Sequence, residues 1–304
     1  MNKQHILSPR KIAWQRFCKH RAAFISAIIL CLMCLMVIFG EIITNHLGIS
    51  ATKTNLLQRF TPASVAHPFG TDALGRDLFA RLLSGGAISL KIAFIVAFST
   101  AIIGGFIGIT AGYFRGWVDA ILMRVTDIII ALPLLPLLVI LAAIDLQKVP
   151  FASTIADHAE GDIYRIIIII SCFAWTGVAR LTRARTLEIR NQTYIQAAKA
   201  MGVSPFKIIW RHVLPNAASP LIVATTLSIG NIILLESVLS FLGLGIQPPT
   251  ASWGNLLNNA QDLIWDHPML TFYPGFLIFV TVICFNFLGD GLQDALNHKK
   301  IQKQ

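Results

Sequence analysis

Six long apolar runs, each with few or no charges, constrain this chain more than any other feature of its sequence. A helix needs about 20 apolar residues to cross the hydrocarbon core of a bilayer, which is about 30 Å thick. Hydrophobic residues make up 55% of the chain and charged residues only 13%, and a soluble fold of this size has no means of burying so much apolar surface. The sequence therefore predicts an all-α, polytopic membrane protein with six transmembrane helices. They are expected at residues 22–40, 92–114, 128–144, 166–179, 213–235 and 268–289.

The first and third runs have features that alter the expected helix. Pro133 and Pro136 lie inside the third run and are expected to kink it, because proline lacks the amide proton that a helix interior requires. The first run follows a basic leader, as a secretory signal peptide does, but its apolar stretch is too long and no small-residue cleavage site follows. We therefore expect the first run to remain as a membrane anchor.

The distribution of lysine and arginine predicts the orientation of these helices. If six helices cross the membrane, 18 of the 25 basic residues lie on the side of the two termini and 7 lie on the other side. Cytoplasmic segments carry the basic excess in membrane proteins, so both termini are expected in the cytoplasm, the N-in/C-in orientation. We assign the net charge of +10 to this topology and expect no nucleic-acid partner. The basic side comprises residues 1–21, 113–124, 180–212 and 290–304, and the other side comprises 41–91, 145–165 and 246–267.

The cytoplasmic segment between the fourth and fifth spans has the pattern of two helices separated by a glycine. Residues 180–190 are expected to continue the fourth span, and a short alanine-rich helix follows at 194–201. Gly202 is expected to end that helix, since glycine readily adopts the left-handed conformation at a helix C-terminus. Ser204 is a favoured N-cap, and Pro205 suits the first position of the second helix.

The second helix is expected to lead into the fifth span, with Pro215 and Pro220 at the point of re-entry. The small side chains of Ala197, Ala198 and Ala200 permit another backbone to approach the first helix closely. From the pattern alone, this segment is either a rigid lever that docks in a groove of a partner protein or an amphipathic helix at the membrane surface. Apolar residues recur in the second helix at helical spacing, at Phe206, Ile209, Trp210 and Val213.

The outer segment before the second span is expected to contain a surface helix and a glycine break. The helix is predicted at residues 73–83, with Asp72 as its N-cap, and the break at Gly85 and Gly86. Residues 83–86 also spell LSGG, the beginning of the ABC ATPase signature. However, no G-x-x-x-x-G-K-[S/T] phosphate-binding sequence occurs in the chain, and this segment is expected outside the cytoplasm, so we reject the ATPase interpretation.

Three glycines and one acidic residue stand out within the spans. Gly104, Gly108 and Gly112 recur every four residues in the second span, and are expected to let a neighbouring helix pack closely. Glu236 follows a long uncharged run near the outer end of the fifth span, and Asn231 precedes it. An ionisable group in a membrane usually faces a wet cavity or a polar partner. The two residues therefore line the outer half of a translocation path, form a buried structural pair, or mark an outer helix end.

Several separate motifs follow one another along nearly the whole chain. Gln196-Ala197-Ala198, Gly202 and His212-Val213-Leu214-Pro215 resemble the EAA loop of binding-protein-dependent ABC importer permeases. The stretch FGTDALGRD at residues 69–77 resembles the FGTDxLGRD sequence of the C-type permease subunit of dipeptide and oligopeptide importers. Gln196 stands where the EAA loop usually has glutamate, which removes a charge but keeps the hydrogen-bonding capacity. Further matches are SFLGLG at 240–245, Pro248-Pro249, Trp253-Gly254 and Gly289-Asp290-Gly291-Leu292.

The resemblance implies a type I ABC importer permease architecture in a bacterial cytoplasmic (inner) membrane. It implies a five-helix core, formed by spans 2–6, with an added first span and an external cap. The corresponding domains are an N-terminal region at 1–86, a permease domain at 87–290 and a cytoplasmic tail at 291–304. The implied partners are a second homologous permease subunit, two cytoplasmic ABC ATPase subunits and an external solute-binding protein. The implied substrates are short peptides, although relatives with the same motifs also carry nickel complexes, glutathione and other small solutes.

The resemblance also implies two groups of site residues. Asp72 and Arg76 in the external group either shape the outer turn or contact the solute-binding protein. The implied ATPase-coupling residues are Tyr194, Gln196, Ala197, Ala198, Gly202, Pro205, His212, Leu214 and Pro215. The external-loop residues are Gly70, Thr71, Asp72, Gly75, Arg76 and Asp77.

The sequence shows no arrangement typical of an enzyme, and we expect no catalytic residue, metal site or cofactor. His67, Asp266 and His267 are scattered without metal-ligand spacing. Cys31 and Cys34 form a C-x-x-C pattern inside an apolar run, where a redox site is not expected. A secondary transporter would need ionisable or unwound sites at the membrane midplane and an internal repeat, and neither is evident. A membrane-embedded enzyme would need clustered His, Asp or Glu within the spans, and these are absent from the sequence.

Overall fold

The structure, a computed structural model, describes residues 9–144 and 160–296, which are mainly helical with one isolated β-bridge. A π-helical turn lies at Ile209–Val213, and short 3₁₀ turns lie at Leu56–Gln58 and Gln261–Leu263. The first six helices are α1 (Pro9–Lys19), α2 (Arg21–Ile38), α3 (Gly40–Leu47), α4 (Leu78–Phe114), α5 (Gly116–Ala131) and α6 (Leu134–Ala142). The others are α7 (Gly161–Arg190), α8 (Thr193–Ala200), α9 (Pro205–Phe241), α10 (Trp253–Ala260) and α11 (Met269–Leu296).

Five of these helices, α2, α4, α7, α9 and α11, are long and apolar enough to cross a membrane. The pair α5 and α6 passes the same test together but is bent by 82°, so the described residues form six spans if the pair counts as one. The bend confirms the predicted kink at Pro133, where the preceding Leu132 is extended with ψ of 138°. Pro136 adds no second break, because it lies in the first turn of α6, where proline is tolerated.

The start of α4 corrects two predictions about the outer segment. Residues 73–77 form a turn, and α4 begins at Leu78 with Asp77 as its N-cap, since the Asp77 carboxylate accepts from the Ala80 amide at 2.8 Å. Asp72 therefore does not cap a helix. The predicted glycine break is also wrong, because Gly85 and Gly86 lie inside one continuous helix of 37 residues. A Cβ at Gly86 would lie 2.9 Å from the Trp253 ring, so this glycine admits the tryptophan of α10 rather than ending the helix.

The glycine stripe on α4 packs against α7, as the sequence predicts. A Cβ at Gly104 would lie 2.7 Å from the Trp175 carbonyl oxygen, and one at Gly112 would lie 2.7 Å from the Thr186 Cβ. The numbers rise together along both helices, so α4 and α7 run parallel. Side chains larger than hydrogen would force the two helices apart at every one of these contacts.

The two ends of the bundle carry different structures. The loop before α4 and the helix α10 lie at the end where α4 begins, and the α7–α9 connection lies where α4 ends. Phe17 and Ala23 from the N-terminal part pack with Ala295 near the end of α11. The described ends of the chain therefore meet on one side of the bundle, as the N-in/C-in orientation requires.

Some predicted segments lie outside the described residues, and the predicted domain boundaries fall within helices. Most of the outer segment 145–165 lies outside them, as do residues 1–8 and 297–304. The predicted domain boundary at 86/87 falls within α4, and that at 290/291 falls within α11. The backbone thus has no break at either boundary.

Candidate coupling loop and external motif

The connection between α7 and α9, residues 191–204, has the predicted helix and glycine turn. Gly202 is left-handed, with φ of +76°, and directs the chain from α8 towards α9. The amides of Gly202 and Val203 donate to the carbonyl oxygens of Lys199 and Ala198 at 2.9 and 3.1 Å, which closes the C-terminus of α8. Ser204 occupies the N-cap position of α9, although its side chain makes no capping hydrogen bond.

One face of α8 is buried against the chain itself. Ile195 is fully buried and Ala198 is only 6% exposed. Both pack in a cluster with Ile109 and Tyr113, which lie at the C-terminal end of α4. This placement corrects the expectation that Ala197, Ala198 and Ala200 all offer small side chains to another backbone, since Ala198 packs against α4 whereas Ala197 is exposed. The loop is thus joined to α4 by apolar packing.

The opposite face of α8 is exposed. Gln196 reaches back to α7, where its side-chain amide donates to the Arg190 carbonyl oxygen at 3.1 Å. The Tyr194 and His212 rings lie 6.0 Å apart, and the Asn216 amide donates to the His212 carbonyl oxygen at 2.6 Å. The exposed members of the predicted coupling set are Tyr194, Gln196, Ala197, Gly202, Pro205 and Pro215, whereas His212 and Leu214 are half-buried.

Lys199 is held close to α4. Its ammonium group lies 5.1 Å from the centre of the Tyr113 ring, within the range of a cation–π interaction. Partial burial and then the nearby positive charge of Arg190 lower the pKa of Lys199 below its usual value. This contact adds a second attachment between α8 and the end of α4, and the sequence pattern did not reveal it.

The start of α9 buries only part of the apolar series that recurs at helical spacing in the sequence. Ile208 and Val213 are fully buried in the cluster beneath α8, while Phe206 and Trp210 are 71% and 58% exposed. The π-helical turn at Ile209–Val213 adds a residue to the repeat, so spacing in the sequence does not identify the buried face.

The external motif forms a compact turn before α4. Thr71 and Asp77 form an antiparallel bridge, and the glycines between and beside them, Gly70 and Gly75, have φ of +78° and +71°. A Cβ at Gly75 would clash with the backbone of Asn55, so the motif needs glycine there for both conformation and space. The motif is therefore a packed structural unit.

Asp72 is the centre of this unit and is almost fully buried. Its carboxylate accepts from the Leu74 and Arg76 amides at 2.8 and 3.0 Å. The Arg76 Nε donates to it at 2.8 Å and the Arg81 Nη1 at 2.5 Å. Burial alone would raise the pKa of Asp72, but the Arg76 amide and the charges of Arg81 and Arg76 lower it below its usual value. Asp72 and Arg76 thus form an ion pair within the turn.

Arg81 was missed by the sequence reasoning. It is 1% exposed and lies one turn into α4, on the side facing Asp72. The available signal was an arginine within an otherwise apolar segment that follows two aspartates, Asp72 and Asp77. A buried charge requires a partner, and Asp72 supplies it.

Two histidines in this region have structural partners. The His67 Nδ1 lies 2.9 Å from the Asp77 carboxylate, and the His267 ring stacks on Phe60 at 4.1 Å between centres. No group of three or more His, Cys, Asp or Glu capable of holding a metal occurs in the described part of the chain.

Glu236 and Asn231 are not brought together. Glu236 is fully buried, and its carboxylate accepts from Ser89 of α4 at 2.9 Å and from Ser240 at 2.8 Å. The Ser89 hydroxyl in turn accepts from the Trp253 amide of α10 at 3.2 Å. Glu236 thus joins α4, α9 and α10 in the interior, whereas Asn231 lies on the exposed side of α9. The other exposed residues of that side are Leu234, Val238 and Phe241.

Comparison with known proteins identifies the family. Residues 104–302 match the model described as the binding-protein-dependent transport system inner membrane component, and residues 8–62 match the N-terminal TM domain of oligopeptide transport permease C. The dipeptide transport system permease protein DppC of Bacillus subtilis (strain 168) is 37% identical, over 98% of this chain and 88% of its own. The glutathione transport system permease protein GsiD of Escherichia coli O157:H7 is 37% identical, over 94% of this chain and 89% of its own.

A solved structure shows the same fold. The inward-facing MetNI methionine ABC transporter aligns with a TM-score of 0.52 and 19% identity, covering 71% of this chain and 96% of that chain. This likeness gives the described helices the type I ABC importer permease fold. Together with the match of most of the sequence to one family model, it shows that the chain belongs to the family of binding-protein-dependent transport system inner membrane components.

Proposed function

We propose that this chain is a permease subunit of an ATP-driven importer that moves short peptides across the bacterial cytoplasmic membrane by alternating access. The observation that carries the proposal is the placement of α8, which is packed on α4 by one face and open on the other. The family consists of membrane-embedded transport permeases, and relatives of nearly full length are named for dipeptide and oligopeptide transport.

The coupling step follows from the contacts of α8. Its exposed face, with Gln196 and Ala197, docks in a groove of a cytoplasmic ATPase subunit. Its buried face, through Ile195 and Ala198, transmits movement of that subunit to the end of α4. Since the Gly202 turn leads directly into α9, α9 moves with the loop, and the glycine stripe carries α7 along with α4. The spans then rearrange as packed units, which is how a small displacement at one site is amplified.

The partners proposed are a second permease subunit, two ATPase subunits that hydrolyse ATP, and an external solute-binding protein. The loop end of the bundle is assigned to the cytoplasm, because it carries the basic excess and both described ends of the chain. Residues 1–86, 87–290 and 291–304 are proposed as an accessory region, a permease domain and a tail, with continuous helices across their boundaries. Asn231 is proposed to face the translocation path, because a polar side chain exposed in mid-span is poorly suited to lipid.

Reconstitution of the complex in proteoliposomes tests this function. With the ATPases, the second permease and the binding protein present, labelled dipeptide should accumulate only when ATP is supplied on the cytoplasmic side. Ala197→Arg should abolish co-purification of the ATPase and leave the permease inserted. Asn45→Arg, at an exposed position on the opposite end, is the matched control. ATP-independent uptake, or full coupling in Ala197→Arg, would contradict the proposal.

Glutathione is the second candidate substrate, because the relative named for its transport is as similar to this chain as the one named for dipeptides. The two candidates are separated by titrating the binding protein with dipeptides, glutathione and a nickel complex. Saturable binding of dipeptides and not of glutathione supports peptide transport, and the reverse result selects glutathione.

A further inference from the structure

The external motif contains an unbalanced pair of buried arginines. Arg76 and Arg81 are 7% and 1% exposed, and Asp72 is the carboxylate that both contact. Two positive charges thus share one negative charge, in a place where water cannot solvate them freely. The nearby acid Asp77 forms no ion pair with either arginine in the described residues, because one of its oxygens accepts from the Ala80 amide and the other lies against His67.

Arg81 has hydrogen-bonding capacity that the described residues do not use. Its Nη1 donates to Asp72, while its Nε and Nη2 are buried and have no hydrogen-bond partner within the described part of the chain. A guanidinium presents its donors in a planar fork that fits the two oxygens of a carboxylate. The free edge of this fork therefore lacks an acceptor of matching shape.

A pocket lies beside Arg81. It has a volume of about 130 Å³ and is lined by Asp72, Arg76 and Arg81 on one side and by Leu256, Leu263 and Asn259 on the other. One water takes up about 30 Å³ of liquid, so the pocket has room for a carboxylate group. Leu74 and Asn259 are exposed at its mouth, which places the opening on the outer end of the bundle.

We propose that this pocket is a binding site for a carboxylate, held by the free edge of Arg81 with support from Arg76. The carboxylate belongs either to a small organic anion in the external medium or to an acidic side chain of the external binding protein. In both cases the added negative charge balances the second arginine, and α4 and α10, which form the walls, are joined through the ligand.

Binding is tested with ¹³C-formate, by saturation-transfer NMR on the full chain in nanodiscs. Formate should bind saturably to the unmodified chain. Asn259→Trp, which obstructs the mouth and keeps both arginines, should weaken binding by about tenfold or more, the size expected for a charged hydrogen bond. Gln261→Trp, at an exposed position that does not line the pocket, is the matched control and should leave binding within about twofold. Arg81→Met should abolish binding, and Asn259→Trp keeps the test decisive if that variant does not fold.

A second measurement identifies the source of the carboxylate. Affinity of the external binding protein for the permease complex is measured with and without formate. If an acidic side chain of that protein enters the pocket, formate should compete and Asn259→Trp should lower the affinity. If the ligand is a free anion, formate should bind without changing that affinity. The competition arm rests on the proposed function, whereas formate binding does not. The proposal is overturned if Asn259→Trp matches the unmodified chain both in formate binding and in affinity for the external binding protein. It is also overturned if the unmodified chain does not bind formate and formate does not compete with the binding protein.

Discussion

The buried face of α8 gives the sharpest test of the lever. Ala198 is 6% exposed and packs among the buried residues at the end of α4, whereas its neighbour Ala197 is exposed. Ala198→Val adds two methyl groups to a packed cluster, and such overpacking typically costs about 1–3 kcal/mol. Since about 1.4 kcal/mol is a tenfold change in an equilibrium constant, the docked state of α8 should be disfavoured roughly 5- to 150-fold. The same change at Ala197 should alter local stability by less than about 0.5 kcal/mol.

Amide hydrogen exchange measures this difference directly. The amides of α8 should exchange about 5- to 150-fold faster in Ala198→Val, and at nearly the original rate in Ala197→Val. Both variants should lose substrate-stimulated ATP hydrolysis, the first because the lever is detached from α4 and the second because docking is obstructed. Unchanged exchange in Ala198→Val would show that α8 is not fixed by this packing, and the reasoning would fail.

Three further predictions address the turn, the helix packing and the buried acid. In an assay of stimulated ATP hydrolysis, Gly202→Val should reduce coupling more than Gly202→Asn. No atom lies within 4 Å of a Cβ at this position, so the cost comes only from the left-handed conformation, which asparagine tolerates. Equal loss in the two variants would contradict this explanation. Gly108→Val should lower the yield of folded protein on size-exclusion chromatography, since its Cβ would lie 2.7 Å from Thr182 of α7, and a wild-type profile would refute the close packing. Glu236→Ala should lower the melting temperature more than Glu236→Gln. Glutamine can still accept a hydrogen bond from Ser89 or Ser240, whereas alanine leaves both serines without this acceptor. The reverse order of melting temperatures would contradict a structural role for Glu236.

The features of this protein that depend on local backbone chemistry could be predicted from the sequence. The apolar runs predicted the spans, because a helix must satisfy its own backbone in lipid whatever its neighbours are. Pro133 predicted the bend between α5 and α6, and Gly202 and Pro205 predicted the turn into α9, since each residue restricts or frees its own backbone. The glycine stripe at Gly104 to Gly112 likewise indicated a close helix contact without showing which helix provides it.

Tertiary packing determines which face of each helix is buried and which distant residues are in contact. The spacing of residues within α8 does not show whether Ala197 or Ala198 is exposed. The answer depends on the position of Ile109 and Tyr113, which lie on α4 and pack against Ala198. The role of Gly86 is likewise set by Trp253, far along the chain, so a local reading as a helix break fails. Glu236 meets Ser89 across the bundle rather than Asn231 on its own helix. Side chains distant in sequence determine which face is buried and which charge is balanced, and only the folded chain brings them together.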